Sequence, residues 1–507
     1  MVFHSYEFIF GVLPACYLGF VLAHRIGGWQ AAFRFLAVAS LAFYAQWGVL
    51  LAGFLLTSVC ANYLAGESIM GLRKAGHRFS GLVLGVAISA NIALLGYLKY
   101  TNFFIDITNQ LTGSAAPHAS LIVPVGVSFF TFIQIGFLIE AYNGQVERPG
   151  FARYVLFATF FPCVTAGPLV LQREMFDQMK DRTDRAFDTL RLAVGGTLFA
   201  FGLFKKVVFA DALAPFANTV FDGAAAGQSV APLTAWLGSL CYALQLYFDF
   251  SGYSDMAIGL GCIFGLRLPL NFDSPFKATS ISEFWRRWHM TMTRFFTTFI
   301  YTPLAMNGMR RVMAGGYGTA ARFGGAVGLP VIATFFVAGV WHGAGWTFVV
   351  YGLIHGIAIA ANLAWQHFRM PELPAVVGWV LTMAVVVSAL VVFRASDLAT
   401  AGLILANMWS MGLSGSIQPS EAKVVIDREF ASALVLVLGS FVLLLPNSQQ
   451  ILHSHWPSID GKPVSAANAA GLVVWKPTMT RSITVAALWV TALASIGSTS
   501  TFLYYQF

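Results

Sequence analysis

Few side chains in this sequence can move a proton, and those that can stand out from their surroundings. His342 lies in VWHGAGW (340–346), inside an apolar stretch (325–362) whose other ionisable groups are Tyr351 and His355. An ionisable residue within a membrane segment marks a functional site by default. Imidazole is also the side chain best suited to take and return a proton near neutral pH. Gly343 and Gly345 remove bulk beside His342, which predicts close approach of another chain or a ligand, and Trp341 and Trp346 flank the motif. His355 is 13 residues further on, about 220° around an ideal helix, and so does not share a helical face with His342. His289 follows Trp288 in KATSISEFWRRWHMTMTRFFTTFIYTPLAMNGMRR (277–311), where a solvated histidine at the membrane interface is the plain alternative to a functional one. Asp249 and Asp255 lie in ALQLYFDFSGYSDM (243–256). At ~100° per residue Asp249 shares a face with Tyr253, and Ser251 with Asp255, which predicts two local polar pairs gluing helices together. The functional alternative is that one aspartate orients a histidine or lines a polar tunnel.

The elements that must position these residues are membrane helices. The chain has 507 residues, 57% hydrophobic and only 10% charged, with a mean hydropathy of +0.71; a soluble chain carries about 25% charged residues. Apolar runs recur at 5–23, 30–66, 79–98, 325–341 and 482–497. A spanning helix needs about 20 such residues, so the expectation is an all-α, polytopic integral membrane protein with about ten to thirteen spans. The opening MVFHSYEFIFGVLPACYLGFVL lacks a basic leader and an A-x-A-like site, so its helix is expected to remain in the mature protein. Five cysteines in apolar surroundings, without metal-ligand spacing, read as packing residues, and no metal site is expected. The net charge of +8 falls at the ends of apolar runs. There it orients loops and meets anionic lipid, which argues against a nucleic-acid partner.

A single membrane domain, 1–507, with its motif-bearing core at about 119–367, is the simplest organisation; the two longest polar connections are 411–430 and 447–481. Lys/Arg bias places Arg25 and Arg34, then Arg73, Lys74 and Arg78, in the cytoplasm, with the N-terminus outside. The run 30–66 must then cross twice, turning near Gln46-Trp47-Gly48. The run 154–171 contains Pro162, Gly167 and Pro168 and has basic residues on both sides. A re-entrant segment with both ends cytoplasmic resolves that charge conflict, provided protein or a cavity shelters its non-helical backbone. The segment 277–311 mixes basic and aromatic residues as an interfacial helix does, with Glu283 and Arg287 paired at i, i+4.

Several stretches together resemble the membrane-bound O-acyltransferase family, in particular its alginate O-acetyltransferase type. They are VPVGVSFFTFIQIGFLIEAYNG (123–144), FPCVTAGPLV (161–170), GLFKKVVFADALAP (202–215), QLYFDFSGYSDMAIGLGCIFGLRLPLNFDSPF (245–276), SISEFWRRWHMTMT (280–293), VWHGAGWTFVVYGLIHG (340–356), FRASDLATA (393–401) and the closing FLYYQF. The resemblance runs from end to end. It implies a helical ring around a tunnel in the bacterial cytoplasmic (inner) membrane, where a cytoplasmic acyl donor and an extracytoplasmic acceptor meet near His342. His342 matches the family's invariant histidine, and His289 a second polar position. The pattern departs after His289, where Thr297-Thr298 replace an Arg-Asp pair and Arg294 appears earlier.

Transfer of an acyl group from a thioester to a hydroxyl needs a base for the hydroxyl proton. His342 is expected to supply it. His289 is expected to polarise the thioester carbonyl, orient the donor or hold His342. Asp249, Asp255, Trp341 and Tyr253 are the candidates for lining a tunnel or orienting a histidine. No serine or cysteine nucleophile is evident near the histidines, which favours direct transfer. The co-substrate is expected to be acetyl-CoA or a carrier thioester, and arginine's planar fork suits its phosphates, so Arg286, Arg287 and Arg294 are candidates for a donor mouth. The acceptor is a polysaccharide or a periplasmic acetyltransferase partner. A proton-coupled transporter using Asp249, Asp255 and His342 is the rival reading, and transfer to a lipid or a protein a third.

Overall fold

The computed structural model describes residues 2–180, 182–410, 423–455, 457–460, 474–497 and 502–503, so most of the polar stretch 411–430, part of 447–481 and most of FLYYQF lie outside the described residues. Its secondary structure is helical, with two isolated β-bridges among the described residues. Among the described residues, seven helical segments are long and apolar enough to cross a membrane: Glu7–Trp47, Val49–Lys74, Phe79–Thr112, Thr189–Ala225, Thr319–His342, Trp346–His367 and Ala375–Arg394. Shorter apolar helices, Val127–Asn143, Leu398–Trp409 and Met479–Ala494, stand beside them.

Glu7–Trp47 is 41 residues long, about 60 Å if straight and twice a bilayer's apolar thickness. It folds back on itself. The backbone leaves helical geometry at Gly27 and Gly28, and Gly28 has φ 66°, a left-handed conformation that favours glycine. Phe8 and Phe43 consequently meet at 5.8 Å. The expected second turn also occurs, at Gly48 with φ 136°, directly after Ala45–Trp47.

The axis of the bundle is Pro232–Ile263, in which every residue from Cys241 to Ile263 is buried. Thr189–Ala225 packs antiparallel along it through glycines. A Cβ on Gly195 would sit 2.6 Å from the Gly259 carbonyl, and one on Gly252 2.7 Å from the Gly202 carbonyl. Small residues of this kind let membrane helices approach closely, where van der Waals contact replaces the hydrophobic effect as the driving force. Midway, a π-helical turn at Lys205–Ala210 swings two consecutive lysines towards the axis helix.

The run 154–171 does not cross. Its helix, Phe151–Thr159, has nine residues, about 14 Å, and breaks at Phe160 before the short turn Phe161–Val164. The chain then returns extended, and Lys180 forms an ion pair with Glu147 at 2.8 Å. The two ends therefore lie together at one end of the bundle, as a re-entrant segment requires. The tip is sheltered by protein: Thr165 bonds Tyr253 at 2.6 Å.

The segment 277–311 corrects the expectation of one interfacial helix. It is broken into Ile281–Arg287, Met290–Phe296 and Thr302–Ala314. The reason is that its aromatic face is drawn into the core: Phe284, Trp285, Trp288, Phe295 and Phe296 are all buried. Asp273 N–H bonds the Arg287 carbonyl at 2.9 Å, and Met290 N–H bonds the Asn271 carbonyl at 3.0 Å. These bonds tie the break at Trp288-His289 to the loop before it.

Candidate active site

His342 is the last residue of Leu329–His342, the final part of a longer apolar helical segment, and the chain leaves it extended through Gly343. A helix end exposes carbonyls that need donors. Here the neighbouring helix Phe79–Thr112 provides them. Lys99 Nζ donates to the carbonyls of Trp341 (2.7 Å) and His342 (2.9 Å), and the Tyr100 hydroxyl donates to that of Val340 (2.5 Å). His342 is buried against Trp341 (4.9 Å), Tyr351 (5.9 Å) and Phe393 (5.3 Å). The space freed at Gly343 is not open to a ligand, because a Cβ there would run into the Phe348 ring. Gly339 and Gly352 meet in the hairpin that carries the site, the Cβ position of one 2.9 Å from the Cα of the other.

His289 is fully buried, at 0% exposure, which removes the solvated interfacial reading. Its φ of 43° is a left-handed conformation that L residues other than glycine rarely adopt. The surroundings that hold it there are polar and specific. Asn271 Oδ1 accepts from the Thr291 backbone N–H (3.4 Å) and hydroxyl (3.0 Å), and lies 2.9 Å from His289 Nδ1. Asn271 Nδ2 donates to Ser254 Oγ at 3.1 Å. With the amide so oriented, His289 Nδ1 is the donor and Nε2 carries the lone pair. The ring abuts Phe250 edge-on at 4.7 Å and lies 6.3 Å from the Trp341 ring. Trp341, itself packed by Phe129, Phe132 and Phe296, thus neighbours both histidines.

Neither aspartate joins this group. Asp249 is paired with Lys206 at 2.7 Å and accepts the Leu503 N–H at 3.0 Å. Asp255 is paired with Lys205 at 2.7 Å and accepts from Ser448 and Gln449. The expected local pairs are replaced by these longer-range ones because the π-turn delivers two ammonium groups to the axis helix. Tyr253 bonds Thr165 and stacks between Phe3 (5.1 Å) and Phe502 (4.5 Å). Both aspartates are thus tied to lysines and to polar groups of other segments. His355 lies on the second arm of the hairpin, where it accepts from Trp285 Nε1 at 3.1 Å and touches Tyr351 at 4.7 Å.

Two of the three candidate donor arginines are engaged. Arg287 pairs with Glu283 at 2.8 Å, the expected i, i+4 contact; Arg294 pairs with Glu174 at 2.6 Å. Arg286 is exposed. Glu174 also borders a cavity of about 600 Å³ lined by Gln178, Arg182, Asp184, Arg191 and Arg267. Burial works against ionised Asp184, but bonds from Arg182 and Arg191 outweigh it and hold its carboxyl down at about 2.

Sequence reasoning passed over Lys99, Tyr100, Asn271 and Thr291. A signal for Lys99 existed: the apolar run was closed at residue 98, yet the helix continues to Thr112 and carries the lysine about 30 Å from its start.

The membrane-bound O-acyltransferase family model matches residues 126–401. A peptidoglycan O-acetyltransferase of Helicobacter pylori is 38% identical over 82% of this chain and 80% of its own length. A "Probable alginate O-acetylase" of Pseudomonas putida is 34% identical over 100% of both chains. A teichoic acid D-alanyltransferase of Streptococcus thermophilus is 30% identical over 48% of this chain and 58% of its own.

Proposed function

The chain belongs to the membrane-bound O-acyltransferase family, and on that premise we propose that it is an O-acetyltransferase for a cell-envelope polysaccharide. Relatives named for alginate and peptidoglycan O-acetylation support the substrate class. The donor in this proposal is acetyl-CoA or a carrier thioester presented at the cytoplasmic face of the bacterial inner membrane. The acceptor is a hydroxyl of the polysaccharide or of a periplasmic partner that completes the transfer.

The observation that carries the reading is the pair of buried histidines that both neighbour Trp341. In the proposed step the acceptor hydroxyl oxygen attacks the thioester carbonyl carbon while His342 takes the hydroxyl proton. The tetrahedral intermediate then expels the thiolate, to which the proton is returned. His289, its Nδ1–H committed to Asn271, presents Nε2 as an acceptor that orients the incoming donor or acceptor. Among the candidate arginines Arg286 is exposed, and it keeps the proposed role of meeting donor phosphates.

Purified protein in detergent, given radiolabelled acetyl-CoA and a polysaccharide or water as acceptor, tests this reading. His342→Ala should reduce turnover about 10²–10⁴-fold, the usual loss for a general base, with thermal stability nearly unchanged. Wild-type turnover in that variant would remove His342 from the chemistry.

A further inference from the structure

Lys99 sits 20 residues into an apolar helix of 34 residues. The other two lysines buried in the bundle are each matched to carboxylates: Lys205 to Asp255, and Lys206 to Asp249 and Asp211. Lys99 takes part in none of the ion pairs among the described residues; its ammonium donates to two backbone carbonyls, those of Trp341 and His342. Neutral donors can satisfy such carbonyls, as the neighbouring Tyr100 hydroxyl does for Val340. A helix-capping role therefore accounts for two N–H groups but not for the charge. An ammonium has three N–H groups, so one is left over.

We propose that Lys99 is a catalytic residue, whose charge and third N–H stabilise the oxygen on which negative charge builds during acyl transfer. This rests on the acyltransferase reading given above. When the hydroxyl oxygen bonds the thioester carbon, the carbonyl π pair moves onto oxygen. A cation fixed at the Trp341 and His342 carbonyls, beside an imidazole packed by Trp341, Tyr351 and Phe393, acts on that oxygen through little screening solvent. The pair returns to carbon as the thiolate leaves, so Lys99 neither gains nor loses a proton. Its two bonds to the Trp341 and His342 carbonyls fix the ammonium relative to the base. The charge is thus in place before the reaction starts.

Three full-length variants separate charge from capping. Lys99→Met removes both, Lys99→Gln keeps a neutral hydrogen-bond donor, and Lys99→Arg keeps charge and donors. With the acetyl-CoA assay, Met and Gln should both lower kcat about 10²-fold, the scale for losing one oxyanion donor, while KM for the donor stays within about twofold. Arg should retain most of the rate. A Gln variant at the wild-type rate would overturn the inference and leave Lys99 a helix cap; so would an Arg variant as slow as Gln at equal stability. If Lys99→Met fails to fold, the Gln and Arg pair decides. Wild type run alongside keeps the two ideas apart. If wild type transfers acetyl and all Lys99 variants match it, this inference fails alone; if wild type transfers no acetyl group to any acceptor, the acyltransferase reading fails first.

Discussion

Two polar regions lie inside the same helical bundle and are held in opposite ways. Around the axis helix, Asp249 and Asp255 meet Lys206 and Lys205, and they also accept from Leu503 N–H, Ser448 and Gln449. Every charge there has an opposite charge. Around Trp341, by contrast, stand His289, His342, Tyr351 and Lys99; His289 bonds the Asn271 amide, and Lys99 bonds backbone carbonyls. An ion pair that closes on itself resists rearrangement and stabilises a particular packing. An imidazole and an ammonium tied to neutral partners keep the capacity to respond when a substrate brings charge. The pattern of partners thus separates scaffold from site, although both contain costly intramembrane groups.

The comparison breaks most sharply at Asp249. Replacing it with alanine removes one of the two carboxylates paired with Lys206, which is 3% exposed, and leaves Asp211. Removing one member of a buried pair costs about 3–5 kcal/mol, while replacing both members with apolar residues costs much less. Asp249→Ala should therefore sharply lower the detergent unfolding temperature, and Lys206→Met with Asp249→Leu should recover much of it. Acetyl transfer per folded molecule should persist in the double variant. Loss of transfer at full stability would instead assign Asp249 to the chemistry.

On the site side the corresponding probe is Asn271. Alanine there removes the group that fixes the His289 tautomer and helps hold its left-handed backbone. Turnover should fall about 10–100-fold, equivalent to ~1.4–2.7 kcal/mol, with KM for the donor little changed. Asn271→Asp, which keeps an acceptor towards Nδ1, should lie between alanine and wild type. A change confined to stability would make His289 part of the scaffold.

The sequence displayed some of this division and hid the rest for definable reasons. Apolar run length and the breakers Gly48 and Pro162 were enough for the turns of the early helices and the re-entrant course of 154–171. Glu283 and Arg287 paired as local spacing requires, because both lie on one helical turn. What failed was long-range pairing. Asp249 and Lys206 are 43 residues apart, and nothing local announces that a π-turn brings them together. His289 looked interfacial because basic residues surround it in sequence, yet the aromatic residues between them carry it inside. Asn271 is an ordinary loop residue until the chain break at Trp288-His289 is laid against it.

The smallest effect comes from a third region, where opposite charges also meet but water remains near. Asp184 bonds Arg182 and Arg191 at the rim of the 600 Å³ cavity, with its side chain 37% exposed. Its carboxyl is held at about 2, against 3.8 for the free group, because the two guanidiniums outweigh the effect of burial. A lowered carboxyl contributes stability that is fully present above the unfolded value and fades as pH falls towards the folded one. The contribution should therefore be complete above pH 3.8 and be lost progressively down to about 2. Solvent and salt screen a pair this exposed, so the effect is modest. Unfolding temperatures of wild type and Asp184→Asn should differ slightly at neutral pH, converge as the pH is lowered through that window, and converge also at high salt. A gap that persists at the acid end would mean that the asparagine disturbs packing. An increase in KM for acetyl-CoA at unchanged stability would move this cavity from scaffold to site, since three arginines line it and a phosphate would compete with Asp184 for two of them.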